Sequence, residues 1–183
     1  MPSFTKKAIV ESFLRLVGKK PIEKITVRDV VDECGINRNT FYYHFQDIYA
    51  VLEYLCGTVM DGLPEDALLT QTVAALFRRL QELQDRYPKA VKCLLMSLGY
   101  EGLERYFAPT LDRLIEACLI REAALVGDRL LHTTVFVRRA VFGYCAEALQ
   151  SAKGEKWQHA DADLSFLLDS LMASLSRGRR VGQ

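Results

Sequence analysis

The sequence lacks a charge of one sign, closely spaced cysteines and long apolar runs, and it has little proline. Each lack closes a class of function. Across 183 residues, 24 basic side chains meet 23 acidic ones, a formal net charge of +1. Bulk charge therefore makes no case for a polyanion partner. The five cysteines, Cys34, Cys56, Cys93, Cys118 and Cys145, stand far apart and are odd in number, which favours neither a zinc site nor a disulfide framework. No stretch approaches the roughly 18 apolar residues of a membrane span, and Glu11 and Arg15 interrupt the apolar stretch after Lys6 and Lys7. A cytoplasmic, reduced setting is expected, with no membrane partner. The glycine-rich phosphate loop, the dinucleotide fingerprint, the paired-histidine zinc helix and the G-x-S-x-G elbow are all missing, so no enzyme activity is expected. His132 and His159 have no neighbours at metal-ligand spacing, so neither metal nor cofactor is expected.

What is present is helical. Half the residues are apolar and five prolines are too few to break many segments. Apolar positions recur every three or four residues: Ala8, Ile9, Phe13, Leu16 and Val17 behind a Ser3 cap, then Val27, Val30, Val31 and Cys34 behind Thr26. Gly35 ends that second, short helix. Asn37 opens a third that runs to Phe45, and Asp47 opens a fourth carrying Ile48, Val51, Leu52, Leu55, Val59 and Leu63. A loop over 61–67 precedes another amphipathic helix to Tyr87. Pro88 ends it or opens the next, a break falls around Gly99 and Gly102, and Pro109 marks a kink in the helical stretch that resumes at Leu103. Gly127 and Asp128 punctuate the chain before two last helices, from about Arg129 and from about Asp161, joined by a polar loop over 153–160. The expected class is all-α with about nine helices, divided into a head over 1–46 and a larger helical domain over 47–183.

Helix, a turn centred on Gly35, and helix make a helix-turn-helix over roughly residues 26–46. Ile36 plugs the angle, and Phe41 and Phe45 turn toward the valines of the second helix. Opposite them, Arg38, Asn39, Tyr42 and Tyr43 occupy an arc of about 140°. That chemistry suits a major groove, since arginine reads guanine, asparagine reads adenine, and tyrosine meets thymine methyls or phosphates. Residues 1–46 also hold eight basic and five acidic side chains, a local excess of three positive charges.

Residues 26–55, TVRDVVDECGINRNTFYYHFQDIYAVLEYL, resemble the DNA-binding signature of the TetR family of regulators. The resemblance implies a homodimeric, ligand-responsive regulator, a repressor by default with activation left open, on a near-palindromic operator in double-stranded DNA, with an N-terminal three-helix head and a sensing and dimerising domain. By position it places Arg28, Arg38, Asn39 and Tyr42 at base edges, and Thr26, Thr40, Tyr43 and His44 at phosphates. It also implies a lysine, common in the family, where this chain has Ile48. Two recognition helices would then lie about 34 Å apart.

The two C-terminal helices carry wide apolar surfaces, and Val135, Phe142, Cys145, Leu149, Leu164, Leu168, Leu171 and Leu175 are the expected dimer interface. An unidentified small-molecule or protein effector would be sensed among Phe77, Cys93, Met96, Tyr100, Tyr106, Phe107, Cys118, His132 and Phe136. Two other readings stand beside this one: a thiol-based redox sensor, which needs two cysteines to meet in the fold, and a protein-interaction module with a vestigial helix-turn-helix.

Overall fold

A boundary written in the sequence by a capping side chain is realised almost to the residue. The computed structural model describes residues 4–150 and 157–178; the Ser3 cap, and the 153–156 part of the polar loop, lie outside the described residues. Among the described residues there are eight α-helices and no strand: α1 Phe4–Val17, α2 Val27–Cys34, α3 Arg38–His44, α4 Ile48–Met60, α5 Leu69–Arg86, α6 Pro88–Ala123, α7 Gly127–Gln150 and α8 Trp157–Gly178. A 3-10 turn at Ile22–Lys24 links α1 to α2. Pro88 has both roles expected of it, since α5 stops two residues before it and α6 starts on it.

Two compact units divide the chain. The first comprises residues 1–59 with 82–106, the second 60–81 with 107–183. In the first, Ile9, Phe13, Val17, Val30, Phe41, Val51 and Leu52 are fully enclosed, so α1 to α4 share one core. Arg86 ties the end of α5 to α1 through Glu11 at 2.9 Å. Ile48, at the position of the common family lysine, is buried at the start of α4 and belongs to this core.

In the second unit Leu111, Ile115, Cys118 and Leu119 of α6 are enclosed together with Val137 and Val141 of α7 and Leu69 of α5. Arg138 of α7 reaches Asp112 of α6 at 2.7 Å, and the Phe107 and Phe142 rings stand 5.6 Å apart. The loop before α5 has its backbone carbonyls held by side chains: Arg121 donates to those of Glu65 and Ala67, Arg79 to those of Asp61 and Gly62, and Thr72 to that of Pro64. α7 and α8 pack on each other. Their apolar stripes resolve into two sets. Phe142, Cys145, Leu164 and Leu168, expected at a dimer interface, are buried inside this chain, because the stripes they form, i, i+3 on α7 and i, i+4 on α8, are what join the two helices to the core. Val135, Leu149, Leu171 and Leu175 are half-buried. Among the described residues, the large apolar side chains left on the surface of the two helices are Leu131, Phe136, Phe166 and Leu167.

Candidate nucleic-acid interface

Thr26 begins α2 with a reciprocal cap. Its hydroxyl accepts the Asp29 amide at 3.2 Å, while the Asp29 carboxylate accepts the Thr26 amide at 2.7 Å and the hydroxyl proton at 2.7 Å. The helix closes on Gly35, left-handed at φ 73°, where the amides of Gly35 and Ile36 both reach the Val31 carbonyl at 2.9 and 3.1 Å. This double closure turns the chain sharply, and it needs a backbone that costs any residue with a Cβ about 1 kcal/mol. One residue after Ile36, Asn37 caps α3 by accepting the Thr40 amide at 2.8 Å and the Thr40 hydroxyl at 3.1 Å. Asp47 does the same for α4 at the Ala50 amide, 2.8 Å. Three side-chain caps and one glycine thus set the angles of the helix-turn-helix.

On α3, Phe41 is fully buried and Phe45 nearly so, their rings 6.0 Å apart, and Phe45 meets Tyr54 of α4 edge-on at 5.4 Å. Lys6 of α1 lies 5.7 Å and 4.9 Å from the centres of the Phe45 and Tyr54 rings, a cation over aromatic faces that the sequence alone did not reveal. With that side fixed, Arg38, Asn39, Tyr42 and Tyr43 point outward, Tyr43 at 85% exposure. Arg28 is exposed on α2 and only loosely paired with Asp32 at 3.6 Å, an ion pair that an incoming ligand can replace at small cost.

The four expected phosphate ligands divide in two. Tyr43 is exposed and His44 half-buried beside it, their rings 5.0 Å apart. The hydroxyl protons of Thr26 and Thr40, by contrast, are committed to Asp29 and Asn37. The positive excess of the N-terminal segment is also partly spent internally. Arg15 and Lys19 flank Glu33 at 2.9 and 3.5 Å, and Lys20 reaches Asp29 at 2.9 Å.

Thr26 and Lys20 together hold the Asp29 carboxyl at about 2, against an ordinary value near 3.8. A depressed folded-state value means that ionised Asp29 stabilises the fold above pH 4, and that this contribution disappears as pH falls toward 2. Solvent screening leaves about 1 kcal/mol of it. In urea titrations, Asp29→Ala should therefore lose about 1 kcal/mol at neutral pH, and its gap from the parent should close between about pH 4 and pH 2. A gap independent of pH would remove the ionic part of the cap.

The expected sensor residues fall in both units. Cys93 and Tyr100 are half-buried in the first, where Met96 stands out at 75% exposure; Tyr106, also half-buried there, has its phenol pushed up by burial and by the neighbouring Cys56 thiol. In the second unit Phe77, Phe107 and Cys118 are core, whereas His132 and Phe136 are on the surface of α7. All five cysteines are free. Burial pushes the Cys56 thiol up to about 12 and raises those of Cys118 and Cys145. A reactive thiol needs the opposite shift.

Residues 9–55 match the family model described as bacterial regulatory proteins, tetR family. YerO of Bacillus subtilis, described as an uncharacterized HTH-type transcriptional regulator, is 29% identical over 56% of this chain, and the match spans 50% of that protein's length. Among solved structures, the dihydroxyacetone kinase operon activator DhaS superposes with a TM-score of 0.65 at 15% identity, covering 95% of this chain and 97% of that one. A putative transcriptional regulator from Pseudomonas aeruginosa PAO1 gives 0.66 at 16% identity, over 97% and 94% of the two chains. At such identities the structural likeness speaks for the fold. Among the described residues no helix is long and apolar enough to cross a membrane.

Proposed function

We propose that the chain is a DNA-binding transcriptional regulator of the TetR type, a reading supported by the family-model match over residues 9–55 and by the likeness to an HTH-type regulator, and that it acts as a homodimer on a near-palindromic operator, repressing until an effector binds. One observation carries the reading: α3 buries Phe41 and presents Arg38, Asn39, Tyr42 and Tyr43 together on its outer face. Arg38 and Asn39, in the first turn of α3, are the residues of a recognition helix that meet base edges, with Arg28 and Tyr42 beside them. Tyr43 and His44 take phosphates. Thr26 and Thr40 act one step removed, by aiming the helix N-termini whose backbone amides also bind phosphate. The head is residues 1–46, and the sensing and dimerising surfaces belong to 47–183.

Repression is the reading we adopt for this chain, although a protein that shares its fold is named an operon activator. The sign depends on where the operator lies relative to the promoter. An effector, small molecule or protein, acts by favouring one arrangement of the heads over another.

Enrichment of duplexes from a random pool, followed by anisotropy titration on the winning sequence, tests the assignment. Arg38→Ala and Tyr42→Ala should each weaken binding by about 1–3 kcal/mol, and Arg38→Ala should also relax the base preference at its position. If no duplex is enriched in a salt-sensitive way, the chain does not read DNA. Parental affinity in both variants would move the reading face elsewhere.

A further inference from the structure

Lys6 and Lys7 stand in the first turn of α1, and no acidic residue accompanies them there. The N-terminal end of a helix carries partial positive charge, so stability alone favours acids at these positions and cations are out of place. A residue that breaks a local rule in this way needs support from elsewhere, or another use. Lys6 has the support. Its Nζ lies 4.9 Å from the centre of the Tyr54 ring and 5.7 Å from that of Phe45, within reach of both π faces. Lys6 is half-buried in this seat, whereas Lys7 is exposed.

The seat lies at one end of the reading face. Phe45 caps α3 at its C-terminus, directly after Tyr43 and His44, and its amide donates to the Phe41 carbonyl at 2.9 Å. Positive charge is scarce there. From Asn39 to Met60, the rest of α3 and the whole of α4, no lysine or arginine occurs, whereas Asp47 and Glu53 are both exposed. Ile48, which opens α4, is buried and neutral. Elsewhere in the head Arg15, Lys19 and Lys20 are engaged by Glu33 and Asp29, and Arg28 by Asp32. Aromatic faces fix a cation without cancelling its charge, which a carboxylate cannot do.

We propose that Lys6 is a DNA contact: seated on Phe45 and Tyr54, its ammonium neutralises one backbone phosphate of the operator, beside those met by Tyr43 and His44. Its ligand is a phosphodiester of the duplex backbone, so it adds affinity and leaves the choice of sequence to α3. The proposal rests on the DNA-binding reading above.

Anisotropy titrations of the full chain on the selected duplex, over a range of salt, test it. Each phosphate neutralised contributes about −0.9 to the slope of log affinity against log salt. Lys6→Met should flatten that slope by about one for each head bound, and weaken binding about tenfold per head at about 0.1 M salt, with the gap closing toward about 1 M. Lys6→Arg, which keeps the charge and stacks on the same rings, should restore both. Lys92→Met, an equal loss of charge at an exposed site on α6, should leave the slope as it is. Replacing single phosphates by neutral methylphosphonates locates the contact: at one position in each half-site the parent should lose affinity and Lys6→Met should lose none. Urea midpoints taken without DNA verify that the variants fold, and Lys6→Gln repeats the test should methionine disturb α1. Weaker binding by Lys6→Met at an unchanged slope means a purely structural role and overturns the proposal. So does an equal flattening in Lys92→Met, the mark of bulk charge. If the parent itself selects no duplex, the regulator reading falls and the phosphate contact with it. A parent that binds, with no methylphosphonate position to which Lys6→Met is indifferent, overturns the contact alone.

Discussion

Phe41→Ala should be the most damaging single change in the N-terminal head, lowering stability by about 3–5 kcal/mol. The ring is wholly enclosed, touches Phe45 at 6.0 Å and Tyr42 at 5.7 Å, and lies in the core that α1, α2 and α4 share. Truncation leaves a void that helices this short are poorly able to close, since α2 has eight residues and α3 seven. With a typical domain stability of only about 5–15 kcal/mol, a loss on that scale removes much of the margin. Urea unfolding would show a lower midpoint with little change in slope, and DNA affinity would drop although Phe41 is turned away from the reading face. Phe41→Leu keeps most of the volume and should lose markedly less. A midpoint unchanged by Phe41→Ala would mean that α3 is held by its caps instead of its ring.

Features that depend on neighbours a few residues away were legible in the sequence. Thr26, Asn37, Asp47 and Gly35 each satisfy orphan backbone groups within one turn, so the helix boundaries of the head come from side-chain chemistry at fixed offsets. The outward placement of Arg38, Asn39, Tyr42 and Tyr43 comes from the same periodicity once Phe41 is assigned inward. The break at Gly99 was legible too; its geometry, at φ 65° and ψ 179°, is one that composition does not encode. Less legible was the fate of charge. A local excess of three positive charges reads as an offer to DNA, yet Arg15, Lys19 and Lys20 close on Glu33 and Asp29, partners up to 18 positions away.

Least legible was the division of apolar surface on α7 and α8. A wide stripe announces that two sides need covering, but periodicity does not tell which side faces the chain's own core. The structure turns Leu164, Leu168 and Met172 inward with Phe142 and Cys145. This leaves a different line on α7: His132, Phe136, Ala140, Gly143 and Glu147 recur every three or four residues on its exposed or half-exposed side. On α8 the exposed aromatic is Phe166, at 71%, with Leu167 beside it at 57%.

If these helices join two copies of the chain, as the proposed function requires, the interface passes through Phe136, Phe166 and Leu167. A two-fold axis presents each of those side chains to the same patch on the second copy, and the small residues Ala140 and Gly143 let the helices approach closely. Phe166→Asp, combined with Leu167→Asp, would place two pairs of carboxylates in that contact, unpaired and stripped of water. By removing an aromatic anchor and burying charge, it should weaken dimerisation by well over 2 kcal/mol, roughly thirtyfold or more. Sedimentation equilibrium should show a monomer at concentrations where the parent is a dimer, with helicity retained because both positions face solvent in the single chain. Operator binding should fall with it, since a lone head engages only one half-site. Leu168→Ala should do the reverse, lowering the unfolding midpoint through a cavity of about 2–5 kcal/mol while leaving the assembly dimeric. A dimer that survives Phe166→Asp with Leu167→Asp but comes apart with Leu168→Ala would show that the buried stripe reaches the second copy after all, through a rearranged α7 and α8.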